Sequence, residues 1–223
     1  MSTDGANPAD GQTSESRALQ LVNWLTGRAI LGVPPMCSAE DLADQYLNDR
    51  RFRDHGQRID SLINWETSKN AMSGFVTGVG GLITLPVAIP AAFGASWLVQ
   101  ARMSAAIARI SGYDIREDRV RTFVLACLLG DALVGIIKQA GIQVGARLTR
   151  TLISQVPGRV LIEINKKVGQ RLLTKAGQTG AVNLIKWVPF AGGVVGGAVD
   201  GYYCRVVGRR ARALFYHPER AQG

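Results

Sequence analysis

The stretch Asn70–Ala101, NAMSGFVTGVGGLITLPVAIPAAFGASWLVQA, runs for 32 residues without a charged side chain, between Lys69 and Arg102. A helix needs only about 20 apolar residues to cross a bilayer, so length alone reads as a membrane span. Gly74, Gly78, Gly80, Gly81, Pro86, Pro90 and Gly94 interrupt it, however. Prolines at 86 and 90 divide any single helix into a piece before Leu85 and a piece after Pro90. The segment therefore predicts a folded-back, Gly/Pro-rich apolar hairpin. Three placements stay open at this point: burial inside a helical bundle, shallow insertion into a membrane surface, and a true span.

Outward from this segment the chain reads as helical. Residues 1–16 are polar and carry no signal-peptide pattern, which predicts a disordered tail. From Arg17 onward Leu19, Val22 and Leu25 recur at helical steps, until Gly32-Val33-Pro34-Pro35 ends the helix. Ser38 is a suitable N-cap for the next helix, with Glu40 and Asp41 in its first turn. The charged stretch Arg50–Asp60, around Gly56, predicts a solvated turn leading into a helix that carries Ile59, Leu62, Ile63 and Trp65. After Arg102 the helix continues through Ile107 and Ile110 to Gly112, a left-handed C′ candidate. Asp114 is the expected cap of a helix through Val120 and Phe123, and Pro157 the opening of one through Leu161, Ile164 and Val168. No alternation marks a strand. The fold class expected is all-α, a bundle of about six to eight helices, with a single domain over 17–216 and a short tail at 217–223.

Composition narrows the function classes. Among 223 residues, 47% are hydrophobic and 19% charged, which excludes a disordered chain. Cys37, Cys127 and Cys204 are far apart, and His55 and His217 are isolated, so no metal site or disulfide framework is expected. The net charge of +9 is uneven: residues 1–137 sum to −2 and residues 138–223 to +11. A field of that sign faces an anionic membrane or a nucleic acid. Arg205, Arg209, Arg210 and Arg212 are the densest part of it and the expected membrane or partner contacts.

Gly193, Gly197 and Gly201 recur every four residues, and a helix there presents a bare stripe for close helix packing, a glycine zipper. Asp131 and Asp200 each stand alone in apolar sequence and are costly to bury ionised, so they are buried-charge candidates, with Arg102, Arg109 or Arg205 as partners. Catalytic signatures are missing. No phosphate-binding loop or His-Glu-x-x-His occurs, and Ser96 lacks the second glycine of a nucleophile elbow. Neither a catalytic nor a cofactor-binding residue is expected, and the chain is read as non-enzymatic.

The segment Gly74–Pro90, followed by Ser111-Gly112-Tyr113-Asp114 and then Val188-Pro189-Phe190-Ala191-Gly192-Gly193 through Asp200, resembles the EcsC family of bacterial proteins over roughly residues 38–216. The resemblance implies a helical, membrane-associated module and supplies no catalytic residues. The expectation that follows is an accessory protein at the cytoplasmic face of the inner membrane, touching its anionic surface and supporting a transporter or another membrane partner. The alternative expectation is a soluble, basic nucleic-acid-binding protein, although no helix-turn-helix or set of stacking aromatics accompanies the arginines.

Overall fold

The computed structural model describes residues 8–71, 91–130, 132, 135, 138, 150–183 and 191–218. Eight α-helices make up this part: α1 Pro8–Leu31, α2 Ala39–Leu47, α3 His55–Ala71, α4 Ala91–Ile110, α5 Asp118–Ala126, α6 Arg150–Gln155, α7 Gly158–Asn183 and α8 Ala191–Phe215. A single 3-10 turn, Cys127–Leu129, extends α5, and no strand is present among the described residues. The protein is an all-α bundle. The central part of the hairpin segment, 72–90, lies outside the described residues, as does Asp131.

Helix α4 is the centre. Ala95, Leu98, Val99, Ala101, Met103, Ala105, Ala106, Ile107, Ala108 and Ile110 are all at most 1% exposed, the condition of a helix buried on every side. Alanine makes this possible, because its small side chain lets several neighbours approach one axis. Helices α1, α2, α3, α5 and α8 all pack against α4. The end of the uncharged run, from Ala95 to Ala101, is therefore protein core. On the periphery, α7 lies along α1 and α5, and α3 pairs most extensively with α8.

Local signals account for several of the helix ends. Ser38 caps α2 through its Oγ, which accepts from Asp41 N at 2.9 Å, while the Asp41 carboxylate reaches back to Ser38 N. Gly112, at φ +83°, terminates α4 in the left-handed conformation, its N–H donating to Arg109 O at 2.8 Å. Three boundaries differ from expectation. Helix α1 begins at Pro8, inside the segment read as a tail; its polar first turns show no apolar periodicity, but proline is compatible with a first helical turn. Helix α3 begins at His55, within the stretch read as a turn. Asp54 Oδ1 accepts from Gln57 N at 2.8 Å and Gln57 Oε1 accepts from Arg53 N at 3.0 Å, a capping arrangement that pulls Gly56 into the helix. Asp114 does not cap α5. It accepts from Arg116 N at 2.9 Å and closes a turn, and the helix starts at Asp118.

Two glycines mark close helix approaches. A Cβ on Gly169 of α7 would collide with the Ala18 backbone of α1. A Cβ on Gly208 of α8 would lie 2.9 Å from Ile63 of α3 and 3.2 Å from Met103 of α4. By contrast, nothing lies within 4 Å of the same position on Gly27, in the body of α1. Gly169→Ala is expected to lower stability by about 1–3 kcal/mol through overpacking, and Gly27→Ala to raise it by roughly 0.5–1 kcal/mol through helix propensity. Urea unfolding of the two variants checks both signs, and equal stability of Gly169→Ala and the parent contradicts the α1–α7 contact.

Candidate functional site

A buried ion pair joins α3 to α4. Glu66 is fully buried and Arg102 is 3% exposed; Arg102 Nη2 donates to Glu66 Oε2 at 3.1 Å. Lys69, one turn further along α3, donates to the other carboxylate oxygen at 2.7 Å. Arg102 Nη1 reaches the Cys37 carbonyl at 3.3 Å and its Sγ at 3.6 Å, which ties the connection before α2 into the same cluster. Arg102 thus pairs with Glu66, a residue the sequence reading did not single out. Arg109 donates to both oxygens of Asp44 of α2, at 3.0 and 3.2 Å. Asp200 is half-buried and engaged with a partner.

Three contacts set α3 and α8 antiparallel. Asp60 lies 2.9 Å from Arg212, Ile63 faces Gly208, and Arg205 Nη2 donates to Asn64 Oδ1 at 3.3 Å. Residue numbers rise along one helix as they fall along the other, so the C-terminal end of α3 and the N-terminal half of α8 occupy the same end of the pair. Large aromatic side chains are exposed there: Trp65 58%, Tyr202 65% and Tyr203 41%. Arg205 and Arg209 are exposed, one helical turn apart, and Lys69 lies over the Trp65 ring at 5.6 Å. The sequence that continues from Ala71 to residue 90, and the sequence from residue 187 into α8 as far as Val199, contain no charge.

The four arginines grouped in the sequence are divided by the fold. Arg205 and Arg209 face outward, whereas Arg212 sits against Asp60 and over the Tyr216 ring at 5.2 Å. Arg210 is half-buried near Cys127, whose thiol burial pushes well above its ordinary range. Gly193, Gly197 and Gly201 all lie in α8; of the three, burial is described for Gly201, which is buried.

Beside Trp65, a groove opens between α2, the loop after it and α3. Asp49 and Arg51 form a side-chain pair on its rim, with Nη2 to Oδ2 at 2.6 Å. The hydrogen bond to Arg51 holds the Asp49 carboxyl below the usual range, and the same bond raises the Arg51 guanidinium. Tyr46, on the inner wall, has its phenol raised, first by burial and then by the charge of Glu66. Among the described residues no three His, Cys, Asp or Glu side chains converge to hold a metal ion, and no helix is long and apolar enough to cross a membrane.

A family model for the EcsC protein family matches residues 21–217, nearly the whole helical bundle. The chain belongs to the EcsC family. The match takes in the apolar part of α1, which the resemblance read from sequence motifs, beginning near residue 38, left out. No curated protein and no solved structure matches this EcsC chain.

The Glu66–Arg102 pair of this EcsC domain yields a stability prediction. Removing one partner strands the other charge in the core, so Glu66→Leu and Arg102→Met are each expected to cost about 3–5 kcal/mol. The double variant replaces both charges with apolar groups and is expected to recover most of that loss. Thermal or urea unfolding of the complete cycle measures the coupling, and additive single losses contradict it.

Proposed function

We propose that this chain is a non-enzymatic bacterial accessory protein that rests on the anionic cytoplasmic surface of the inner membrane, where it supports a transporter or another membrane partner. The observation that carries this reading is the α3–α8 pair, where Trp65, Tyr202 and Tyr203 are exposed in the same stretch as Lys69 and Arg205, with Arg209 exposed one turn further along α8. Tyrosine and tryptophan pair an apolar ring with a polar tip and concentrate at membrane–water interfaces. Arginine and lysine beside them add attraction to anionic headgroups, worth about 1 kcal/mol each near the surface. Within α8 the glycine spacing 193, 197, 201 is read as a close-packing stripe that leads towards Gly208. The reading needs no cofactor.

Flotation on vesicles separates the contributions. Binding to phosphatidylglycerol vesicles is expected, with most of it lost near 1 M salt, where the screening length falls to about 3 Å. Replacing Arg205 and Arg209 by Gln is expected to weaken partitioning by roughly tenfold to thirtyfold, and Trp65→Ala with Tyr202→Ala to weaken the part that survives salt. Absence of flotation overturns the membrane reading, and equal recovery on neutral vesicles overturns its electrostatic part. Submicromolar affinity for duplex DNA at physiological salt, lost in the same arginine variant, favours the nucleic-acid alternative instead.

A further inference from the structure

The groove beside Trp65 has a volume of about 420 Å³, inside the range of roughly 300–1,000 Å³ typical of small-molecule sites. Its walls are aromatic. The Tyr46 and Phe52 rings lie nearly parallel, 6.0 Å apart at 21°, and Trp65 forms the side towards the exposed end of the α3–α8 pair. Two of these rings already attract cations from the protein itself: the Arg51 guanidinium lies 5.7 Å from the Phe52 centroid, and Lys69 lies over Trp65. The rim carries one charge of each sign. Arg51 directs Nε and Nη2 at the Asp49 carboxylate, at 3.0 and 2.6 Å. That geometry uses one edge of the planar guanidinium and leaves the end-on Nη1 edge of an 82% exposed side chain for a second anion.

An aromatic recess with a fixed carboxylate and a fixed guanidinium at its mouth complements a small zwitterion. We propose that the groove holds the headgroup of a zwitterionic phospholipid, an ethanolamine phosphodiester. The ammonium sits over the aromatic faces and donates to Asp49 and Ser61, and the phosphate meets the outer edge of Arg51. A primary ammonium suits these acceptors better than a quaternary one, which has no N–H to donate. The lipid, rather than a free phosphate ester, is the source because Trp65 belongs both to the groove and to the membrane-facing end; the inference in this form rests on the membrane reading.

Two measurements keep the inference and that reading separate. In the first, soluble glycerophosphoethanolamine is titrated into the full chain while the ring signals of Phe52 and Trp65 are followed by NMR. In the second, flotation is compared on vesicles of equal phosphatidylglycerol content whose remainder is either phosphatidylethanolamine or phosphatidylcholine. Expected are saturable shifts at Phe52 and Trp65, and a preference for the ethanolamine vesicles of roughly fivefold, the scale of one cation–π contact. Asp49→Asn and Arg51→Gln, both in the loop after α2, are expected to abolish the shifts and the preference, with flotation on pure phosphatidylglycerol unchanged. Flotation without a headgroup preference and without shifts overturns the groove and leaves the membrane reading intact. Shifts without any flotation overturn the lipid as source, and equal response to the choline and ethanolamine compounds overturns the assignment of the ammonium.

Discussion

Glu66 and Arg102 meet where neither can reach water, and the rest of the bundle is arranged around that contact. The pair is tolerated only if α3, α4 and the connection at Cys37 are all in place, because each supplies a hydrogen-bonding partner to the others. This matters most for α4. Five of its buried positions, Ala95, Ala101, Ala105, Ala106 and Ala108, are alanine; ridges are low there, and several sliding positions against the neighbours bury nearly the same apolar area. One guanidinium that must face one carboxylate, together with Arg109 on Asp44, removes that degeneracy.

The sequence displays the helices more clearly than their faces. Ser38 and Gly112 were legible because a cap and a left-handed terminus depend on residues within one turn. The start of α3 was legible in principle from Asp54 and Gln57, spaced as a capping box, but the density of charge around them suggested a turn. Glu66 also left a trace. It follows Ile59, Leu62 and Ile63 at the spacing of a single helical stripe, so a charge was written into an apolar face. A periodicity weighed by hydrophobic residues alone passes over it. The arginines of α8 show the opposite limit: Arg212 rather than Arg205 or Arg209 meets Asp60, far away in the chain, and no local pattern encodes that.

The uncharged run raises a related ambiguity. Small residues suit a helix that must be approached closely, whether by lipid-embedded neighbours or by a crowded soluble core. Ala95–Ala101 has every surface covered by protein, a condition that both settings produce. Hydropathy measures how much a segment avoids water and carries no information about which apolar surroundings replace it. The aromatic and basic side chains at the end of the α3–α8 pair are more discriminating, because they are exposed despite a large apolar content.

The α3–α8 pairing also has a consequence for biosynthesis. Asn64 and Arg205 are 141 residues apart, and α8 supplies the surface that covers Ile63 and Met103. A ribosome emits the chain at about 5–20 residues per second, so α3 and α4 leave the exit tunnel well before the helix that seals them. For that interval the nascent chain carries an open apolar flank, which is the period in which a holding chaperone would shield it. Polypeptides released prematurely, short of α8, keep that flank uncovered and become substrates for quality-control proteolysis.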